Sequence, residues 1–513
     1  MSETCIYDKM IDSKTGIKIP VFKSGRTVDS RYDPVRESFR ITQQIKPSTR
    51  FVIILGIASG TLINSIKQNR KNIFIIGVEK SQKEIDFLLQ LNIVKEINQS
   101  DGICLCTIEQ LEQKIIQNYL PSFYGNLEIV EQPGWTLENK NILPEIKNII
   151  SKALSTVSSD FSVQSHFGKL WTHNILSNLL LLEKTNNKQA PHSFTIDISK
   201  TAVIFAAGPS LDRTIQTFLN QSSQKKYYLI ATDTAFSTLL AYNLIPDVVV
   251  SIDGQYVSNT HFIHQTQNNL ENILFLFDLC ANSSAVKKLI KQNCNISFFK
   301  SGHPLCEYVD EYFDLKISSL FSGAGTVTIT AVDFALKSGF KNIIVAGADF
   351  SYIDGKPYAK GTYLDKLYNS TSTRLQDNLQ KFCTLEFRTE LEAAGDNRFT
   401  TTVLQRYRQS FEEYLLNNKT SFEYKYELYF ITNSGQQSFF NLISSKIKKE
   451  IFTSFIKTIV EQNSSNFSDI TDLTKKDISL LPLISWIRTH DNNNEAEFIY
   501  YFNKAVNYFI KWS

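Results

Sequence analysis

The residues best suited to chemistry lie close together at 201–253. An apolar run ends in the turn Gly208-Pro209-Ser210 and passes into an amphipathic segment, which is typical of a strand, a tight turn and a helix. Two further apolar runs each stop at an acidic residue, Asp233 and Asp253. Because ligands of an open parallel sheet bind outside the carboxyl ends of its strands, we expect these residues to line one site.

The elements that must hold this site continue downstream as alternating strands and helices. We predict further strands at Asn272–Leu279, Asn295–Lys300 and Asn342–Ala348, the second leading to His303 and the last ending at Asp349. A turn rich in glycine precedes the helix that leads into the last strand. Such alternation predicts a doubly wound, Rossmann-like α/β domain.

The flanking segments predict two other domains. A strand at Phe51 runs into a turn with two glycines, and a second strand ends at Glu79, where a ribose-binding acid often lies. The glycine pattern is incomplete, so both a cofactor site and a docking domain without a ligand remain open. A helical segment follows from Leu143, then a polar linker at 183–193. Beyond about Tyr368 the periodicity is helical, with one β-like interruption at FEYKYELYFIT.

We therefore predict an N-terminal α/β Rossmann-like domain at 1–155, a central domain at 156–370 with its core at 200–365, and a mainly α-helical C-terminal domain at 371–513. Three domains also fit a length of 513 residues at roughly 150 residues per domain.

Composition predicts a cytoplasmic globular protein. The hydrophobic fraction is 42%, the charged fraction 20% and the net charge +3, which gives no reason to expect a nucleic-acid partner. The seven cysteines are an odd number without paired metal-ligand spacing, so we expect reduced thiols and no metal site. The N-terminal residues lack the apolar core of a signal peptide, and no run reaches the ~18 apolar residues of a membrane span.

Five segments carry a family resemblance: AAGPSLD, ATDTAF, VVSID, SGAGTVTITAVDFALKSGF and IIVAGADFSYIDGKPYA. In the same order they resemble the central domain of the motility-associated-factor glycosyltransferases. These bacterial cytoplasmic proteins attach nonulosonic acids, such as pseudaminic or legionaminic acid, to serines and threonines of flagellin. The segments are also similar to bacterial CMP-sialic-acid-dependent sialyltransferases. The resemblance implies a sialyltransferase-like, GT-A-type domain, a CMP-nonulosonic acid donor and flagellin as the protein acceptor.

The resemblance also implies roles for individual residues in donor binding. Gly208, Pro209 and Ser210 match the turn that approaches the CMP phosphate and ribose. Asp233 and Asp253 stand where the sialyltransferases carry asparagines that contact the donor, so the carboxylates would serve the ribose, the base or a cation.

Further donor-binding roles fall on two later segments. Ser322, Gly323 and Thr326 match the segment that holds the donor sugar and cytosine. Tyr358 matches a tyrosine near the leaving phosphate, and Tyr352 is the candidate substitute for a partner tyrosine that this chain replaces with serine.

The family's downstream histidine has no counterpart, because no histidine occurs between His303 and His490. As the general base we rank Asp349 first, at a strand end in the expected crevice, then Asp253 and His303. Each also has a structural interpretation, as a turn cap or a loop residue.

Two other functions fit the same pattern. The segments AAGPSLD and PDVVVSID resemble an archaeal pterin diphosphokinase group, in which Asp233, Asp253 and Asp349 would hold Mg²⁺ against triphosphate oxygens. The missing histidine also fits a flagellin-binding assembly factor without catalytic activity. We expect no firmly bound cofactor, with a divalent cation as an option.

Overall fold

The computed structural model describes residues 5–70, 72–182, 196–220, 226–262, 270–323, 325–395, 397–418, 420–434, 440, 442, 447–461, 473–493 and 496–512. The predicted linker at 183–193 lies outside these residues. By its internal contacts the chain divides into two compact units, Met1–Lys169 with Ile456–Ser513, and Leu170–Phe455. The internal contacts therefore do not divide the chain into the three consecutive domains expected from the sequence. The segment at 371–513 is instead divided between the two units.

The elements up to residue 182 are β1 Tyr7–Asp12, β2 Lys18–Phe22, α1 Pro34–Gln44, β3 Thr49–Leu55, α2 Thr61–Asn69, β4 Phe74–Glu79, α3 Gln82–Leu88, α4 Asn92–Asn98, β5 Ile103–Thr107, α5 Ile108–Asn118, α6 Pro121–Tyr124, β6 Asn126–Glu131, α7 Pro133–Glu138 and α8 Leu143–Leu182.

From residue 201 to 346 they are β7 Thr201–Phe205, α9 Leu211–Leu219, β8 Tyr227–Thr232, α10 Asp233–Ala241, β9 Val248–Ser251, two 3₁₀ segments at Tyr256–Phe262 and Leu270–Asn272, β10 Leu274–Asp278, α11 Ser283–Lys291, β11 Asn295–Phe299, α12 Pro304–Phe313, α13 Val327–Ser338 and β12 Asn342–Ala346.

The remaining elements are β13 Tyr352–Ile353, α14 Tyr363–Ser370, α15 Asn378–Glu386, β14 Glu392–Ala393, β15 Arg398–Thr400, α16 Thr402–Asn417, β16 Thr420–Lys425, β17 Leu428–Asn433, α17 Lys449–Val460, α18 Lys475–Ser479, α19 Leu481–His490 and α20 Phe498–Ile510. Among the described helices, none combines the length and the apolar character needed to cross a bilayer.

The unit built on the N-terminal residues contains a parallel sheet in the order β5-β4-β3-β6. Strands β3 and β4 are almost wholly buried, which is why they read as continuous apolar runs. The chain proceeds from β3 toward β5 on one side and returns to place β6 on the other. The order therefore reverses between β3 and β6, which is where such sheets open a ligand crevice.

The second unit contains a larger sheet in the order β11-β10-β9-β8-β7-β12-β17-β16. The first six strands in this order are parallel, and the predicted strands fall within one or two residues of the observed ones. Their order reverses between β7 and β12. The predicted α/β class is confirmed, and the reversal point lies beside Gly208 and Asp349.

An antiparallel hairpin, β16 with β17, completes this sheet from the segment predicted to be mainly helical. Strand β17 pairs with β12 along its whole length, from Asn342 with Thr432 to Ala346 with Leu428. Tyr429 and Ile431 of β17 are buried in the same apolar core as β7 and β12. The β-like interruption FEYKYELYFIT is thus part of the central sheet, since pairing with β12 buries its alternate side chains.

Candidate functional site

The turn after β7 continues the pairing of β7 with β12 beyond both strands. Ala206 donates its N–H to Ala346 O and Gly208 donates its N–H to Gly347 O, both at 2.8 Å. A Cβ on Gly208 would lie 2.4 Å from Gly347 O and 2.4 Å from Oδ2 of Asp349. Gly208 is therefore glycine because two neighbours approach it too closely for any side chain.

Asp349 anchors this turn from the other side of the reversal point. Its Oδ2 accepts the Ser210 N–H at 2.8 Å, while its buried Oδ1 has no hydrogen bond among the described residues. Burial raises the pKa of Asp349, and the hydrogen bonding by Ser210 opposes part of that rise. The carboxylate thus joins the GPS turn to the segment after β12, and its predicted role as a base stays a prediction.

Asp233 lies at the same edge but is fully engaged by its own chain. Its Oδ1 accepts the Thr234 N–H at 2.7 Å, and its Oδ2 accepts the Ser251 hydroxyl at 2.7 Å. The side chain is almost wholly buried. The carboxylate therefore ties the start of α10 to the end of β9, and it offers no oxygen that is free of a protein partner.

Asp253 is more accessible to solvent than Asp233, and the charges of Asp233 and His261 act on it. Its Oδ1 accepts the Gln255 N–H at 2.8 Å, and its carbonyl oxygen accepts the Asn282 N–H at 3.0 Å. Burial raises the pKa of Asp253, the charge of Asp233 adds to the rise, and His261 opposes it. A partly buried carboxylate with a raised pKa is suited to proton transfer.

His261 is a residue that the sequence analysis did not consider. It lies on the 3₁₀ segment after Asp253 and contacts Tyr363 edge to face, with ring centroids 4.8 Å apart. Its electrostatic influence on Asp253 places a histidine other than His303 beside that carboxylate. The only sequence signal was its position eight residues after Asp253.

Tyr358 is brought to this edge by hydrogen bonds of the loop that carries it. Ala359 donates its N–H to Ala207 O at 2.9 Å, and Ser237 of α10 donates its hydroxyl to Gly361 O at 2.9 Å. Burial raises the pKa of Tyr358 to about 12, and Tyr363, Tyr352 and Asp233 reinforce the rise. The phenol therefore stays protonated and can donate a hydrogen bond at neutral pH.

The other predicted donor residues have local partners. Thr326 caps α13, because its hydroxyl accepts the Thr328 N–H, and Ser322 O accepts the Gly325 N–H at 2.9 Å. Gly323 lines a cleft of about 410 Å³ between the segment before α13, the second half of α13 and α16. Tyr352 pairs with Phe399 in a small separate sheet, and burial raises the pKa of its half-buried phenol.

His303 is placed differently from the other candidate bases. It is buried at the start of α12, and its Nδ1 accepts the Leu305 N–H at 3.1 Å. Burial lowers the pKa of His303 to about 3, so the ring stays neutral. Its ligand atom lies within 4.8 Å of those of Cys280 and Cys306. Its surroundings do not suit a base that must take a proton from a substrate.

The crevice of the other unit is filled by the chain itself. Trp135 is fully buried, and a Cβ on Gly56 would lie 2.5 Å from its side chain. Glu79 accepts hydrogen bonds from Tyr7 Oη, Ile57 N and Trp135 Nε1 at 2.8 to 3.0 Å. Burial raises the pKa of Glu79 to about 7. The predicted ribose-binding acid is therefore occupied by protein donors.

A second buried carboxylate, Asp29, binds the turn after β3 in the same crevice. Asp29 accepts the Ser59 N–H and the Gln132 side-chain amide, both at 3.0 Å. Burial raises the pKa of Asp29 to about 7 as well. This arrangement favours the docking-domain interpretation of the N-terminal sheet over a cofactor site.

Comparison with known proteins gives a family and a fold. A family model described as 6-hydroxymethylpterin diphosphokinase MptE-like matches residues 172–355. An uncharacterized protein of Treponema pallidum (strain Nichols) is 36% identical over 152 residues, which is 29% of this chain and 70% of that protein. A second from the same organism is 31% identical over 198 residues, 37% of this chain and 69% of that protein.

A solved structure matches over almost the whole chain. It is a Maf glycosyltransferase from Magnetospirillum magneticum AMB-1, with a TM-score of 0.54 and 11% identity, covering 99% of this chain and 91% of that one. The resemblance to the motility-associated-factor family is confirmed in the fold, and the similarity to sialyltransferases stays a prediction. The chain therefore belongs to one family with the two Treponema pallidum proteins, is similar to the MptE-like family over residues 172–355 and has the fold of the Maf glycosyltransferase.

Proposed function

We propose that this protein is a glycosyltransferase that moves a nonulosonic acid from a CMP donor to serine or threonine hydroxyls of flagellin. The observation that carries the proposal is the anchoring of the Tyr358 loop on the GPS turn through Ala359 N–H and Ala207 O. It joins the GPS turn to the loop that carries the neutral phenol of Tyr358, at the reversal point of the sheet. The fold shared with a Maf glycosyltransferase supports the same class of reaction.

The leaving CMP phosphate requires donors at the turn. No side chain caps the start of α9, directly after Ser210, and the N-terminus of a helix favours an anion. Tyr358 stays protonated because its pKa is raised to about 12, so its hydroxyl can donate to the departing phosphate oxygen. Asp349 holds the turn in place through Ser210 and thereby fixes the direction of these donors.

The acceptor hydroxyl requires a base near the sugar. We assign this role to Asp253 rather than to Asp349, which already binds the turn, or to His303, which caps α12. Burial and the neighbouring Asp233 raise the pKa of Asp253 and so make its carboxylate a stronger base. His261 and Tyr363 lie on the same side and would orient it.

The direct test is transfer by the purified full chain. CMP-pseudaminic and CMP-legionaminic acid are supplied with flagellin, and both CMP release and the flagellin mass are measured. We expect CMP release with a matching increase in flagellin mass, and both should fall together in Asp253→Asn. Asp8→Asn, which changes an exposed carboxylate of the other unit, serves as the matched control. An unchanged flagellin mass with both donors contradicts the proposal.

The MptE-like match makes a pterin diphosphokinase the second candidate. That reaction needs carboxylates gathered around Mg²⁺, yet both Asp233 oxygens already accept protein hydrogen bonds. Among the described residues, Asp233, Asp253 and Asp349 do not form a group with metal-ligand spacing. AMP formation from ATP with a hydroxymethylpterin acceptor would favour this candidate. Flagellin binding without any transfer would instead favour an assembly factor.

A further inference from the structure

Three side chains that are far apart in the sequence meet in the second unit, outside the proposed transfer site. Cys280 follows β10, while His303 and Cys306 lie at the start of α12 after β11. Their ligand atoms all lie within 4.8 Å of one another, both cysteines are buried, and His303 is 8% exposed. In the described part of the chain, no other group of three histidine, cysteine or acidic side chains has this spacing.

The two sulfur atoms are set at a distance that suits one cation. Cys280 Sγ and Cys306 Sγ are 3.9 Å apart. Two thiolates on one tetrahedral zinc with Zn–S bonds of about 2.3 Å stand about 3.8 Å apart. A disulfide would require them to approach to about 2.05 Å. The observed separation is thus close to that of a shared metal ion.

The imidazole supplies a third ligand atom. Nδ1 of His303 already accepts the Leu305 N–H, whereas Nε2 is buried and has no hydrogen-bond partner among the described residues. A cation at Nε2 would move the ring proton to Nδ1 and would cost the hydrogen bond from Leu305. Two metal–thiolate bonds outweigh the loss of one cap hydrogen bond.

We propose that Cys280, His303 and Cys306 bind one thiophilic divalent cation, with zinc as the best match. Zinc would replace the two thiol protons, which pass to solvent, and the dithiolate site would carry no net charge in its buried setting. Without a cation, the hydrogen bond with Cys306 and burial raise the pKa of the Cys280 thiol, and burial raises the pKa of the Cys306 thiol. Three protein ligands leave the fourth position of the tetrahedron for water.

The position of the site indicates a structural role beside the transfer site. Asn174 of α8 donates to Cys280 O and Gly254 O at 3.0 Å, and the Asn282 N–H binds the Asp253 carbonyl oxygen. A cation would therefore join the loops after β10 and β11 next to the backbone that carries Asp253. Metal binding is a property of these three residues and does not depend on the proposed transfer reaction.

The test is zinc binding by the full chain, kept reduced throughout. The protein is equilibrated with Zn²⁺, desalted and analysed for bound metal by elemental analysis. Substitution with Co²⁺ then shows whether thiolates are ligands, through a thiolate-to-cobalt charge-transfer band. We expect about one zinc per chain and a clear charge-transfer band. A reduced wild-type protein that retains no zinc overturns the proposal. A protein that binds the metal but shows no thiolate-to-cobalt charge-transfer band also overturns it.

Matched variants separate ligation from folding. Cys280→Ser and Cys306→Ser should each weaken zinc binding by more than about 100-fold, since loss of an outer-shell partner alone costs 10 to 100-fold. Cys294→Ser, which changes a buried cysteine outside the cluster, should bind as the wild type does. His303→Asn keeps a side chain that caps helices well while removing the imidazole, and it should also weaken binding. Equal zinc content in Cys280→Ser and Cys294→Ser would contradict the assignment.

Discussion

Both units contain parallel strands whose order reverses beside a glycine turn, but different residues meet at that place in the two units. In the first unit the turn at Gly56 faces the buried Trp135, and Glu79 accepts three protein hydrogen bonds. In the second, the turn at Gly208 faces Asp349, and the partly buried Asp253 follows β9 of the same sheet. The same topology thus gives a filled crevice in one unit and a candidate active site in the other, and the difference lies in which residues occupy the reversal point.

The largest expected effect comes from placing a side chain at Gly208 in the GPS turn. Gly208→Val should abolish transfer and CMP binding, because its Cβ would collide with the backbone oxygen of Gly347 and with Asp349. Isothermal titration with CMP and the transfer assay measure the loss. The counterpart Gly56→Ala pushes into Trp135 and should lower the stability of its own unit without changing CMP affinity per folded molecule. Equal loss of CMP binding in both variants would remove the contrast between the two crevices.

Asp253→Asn should lower kcat by about 100-fold or more, the usual contribution of a general base. In the wild type the rate should rise with pH as Asp253 loses its proton, at a pH above the ordinary carboxyl range because its pKa is raised. The kcat–pH profile measures this. The acid limb should disappear in the variant, and its persistence would assign the base to another group.

Glu79 should control stability and leave transfer unchanged. Its pKa rises to about 7 in the folded state from about 4.5, so the folded state binds more protons between these values. Stability of the first unit should therefore fall as pH rises from about 5 to 8, by about 2 kcal/mol for this group. Hydrogen exchange of β3 and β4 at several pH values measures the slope, which Glu79→Gln should reduce. An unchanged slope would show that Glu79 is not the titrating group.

The smallest expected effect belongs to Asp349→Asn. The amide oxygen can still accept the Ser210 N–H, so only the charge that holds the turn is lost. We expect about a 10-fold decrease in kcat/KM, mainly through weaker donor binding, as for the loss of one charge-assisted hydrogen bond. Steady-state kinetics measure it. A loss of kcat greater than that of Asp253→Asn would make Asp349 the base, as the sequence ranking had it.

The sequence was informative wherever the signal was local. Continuous apolar runs predicted β7, β8, β9 and β12, because strands buried on both faces contain little else. The polar residues that follow them, such as Asp349, were predicted to meet at one edge because parallel strands share their carboxyl ends. That prediction does not require knowing which residues contact each other across long stretches of sequence.

The remaining features depend on contacts between distant residues. Nothing near Glu79 in the sequence shows that Tyr7 and Trp135 bind it, over 72 and 56 residues. Cys280 reaches Cys306 only through the packing of β10 beside β11. His261 was missed because a histidine on a short segment without periodicity carries no local signal. Spacing rules for metal and catalytic motifs detect only ligands that are neighbours in the chain.

The antiparallel hairpin also sets the smallest piece of the second unit that can be expected to fold alone. The family model ends at residue 355, but β12, which leads to Asp349, takes one of its two neighbours from residues 428–433. A fragment cut at 355 would leave β12 as an uncovered sheet edge and would expose the core face that Tyr429 and Ile431 bury. During synthesis, likewise, the transfer site would not gain its full sheet until the ribosome had passed residue 433. Residues 172–355 are therefore the part that the family model matches, but we do not expect them to fold as a separate domain.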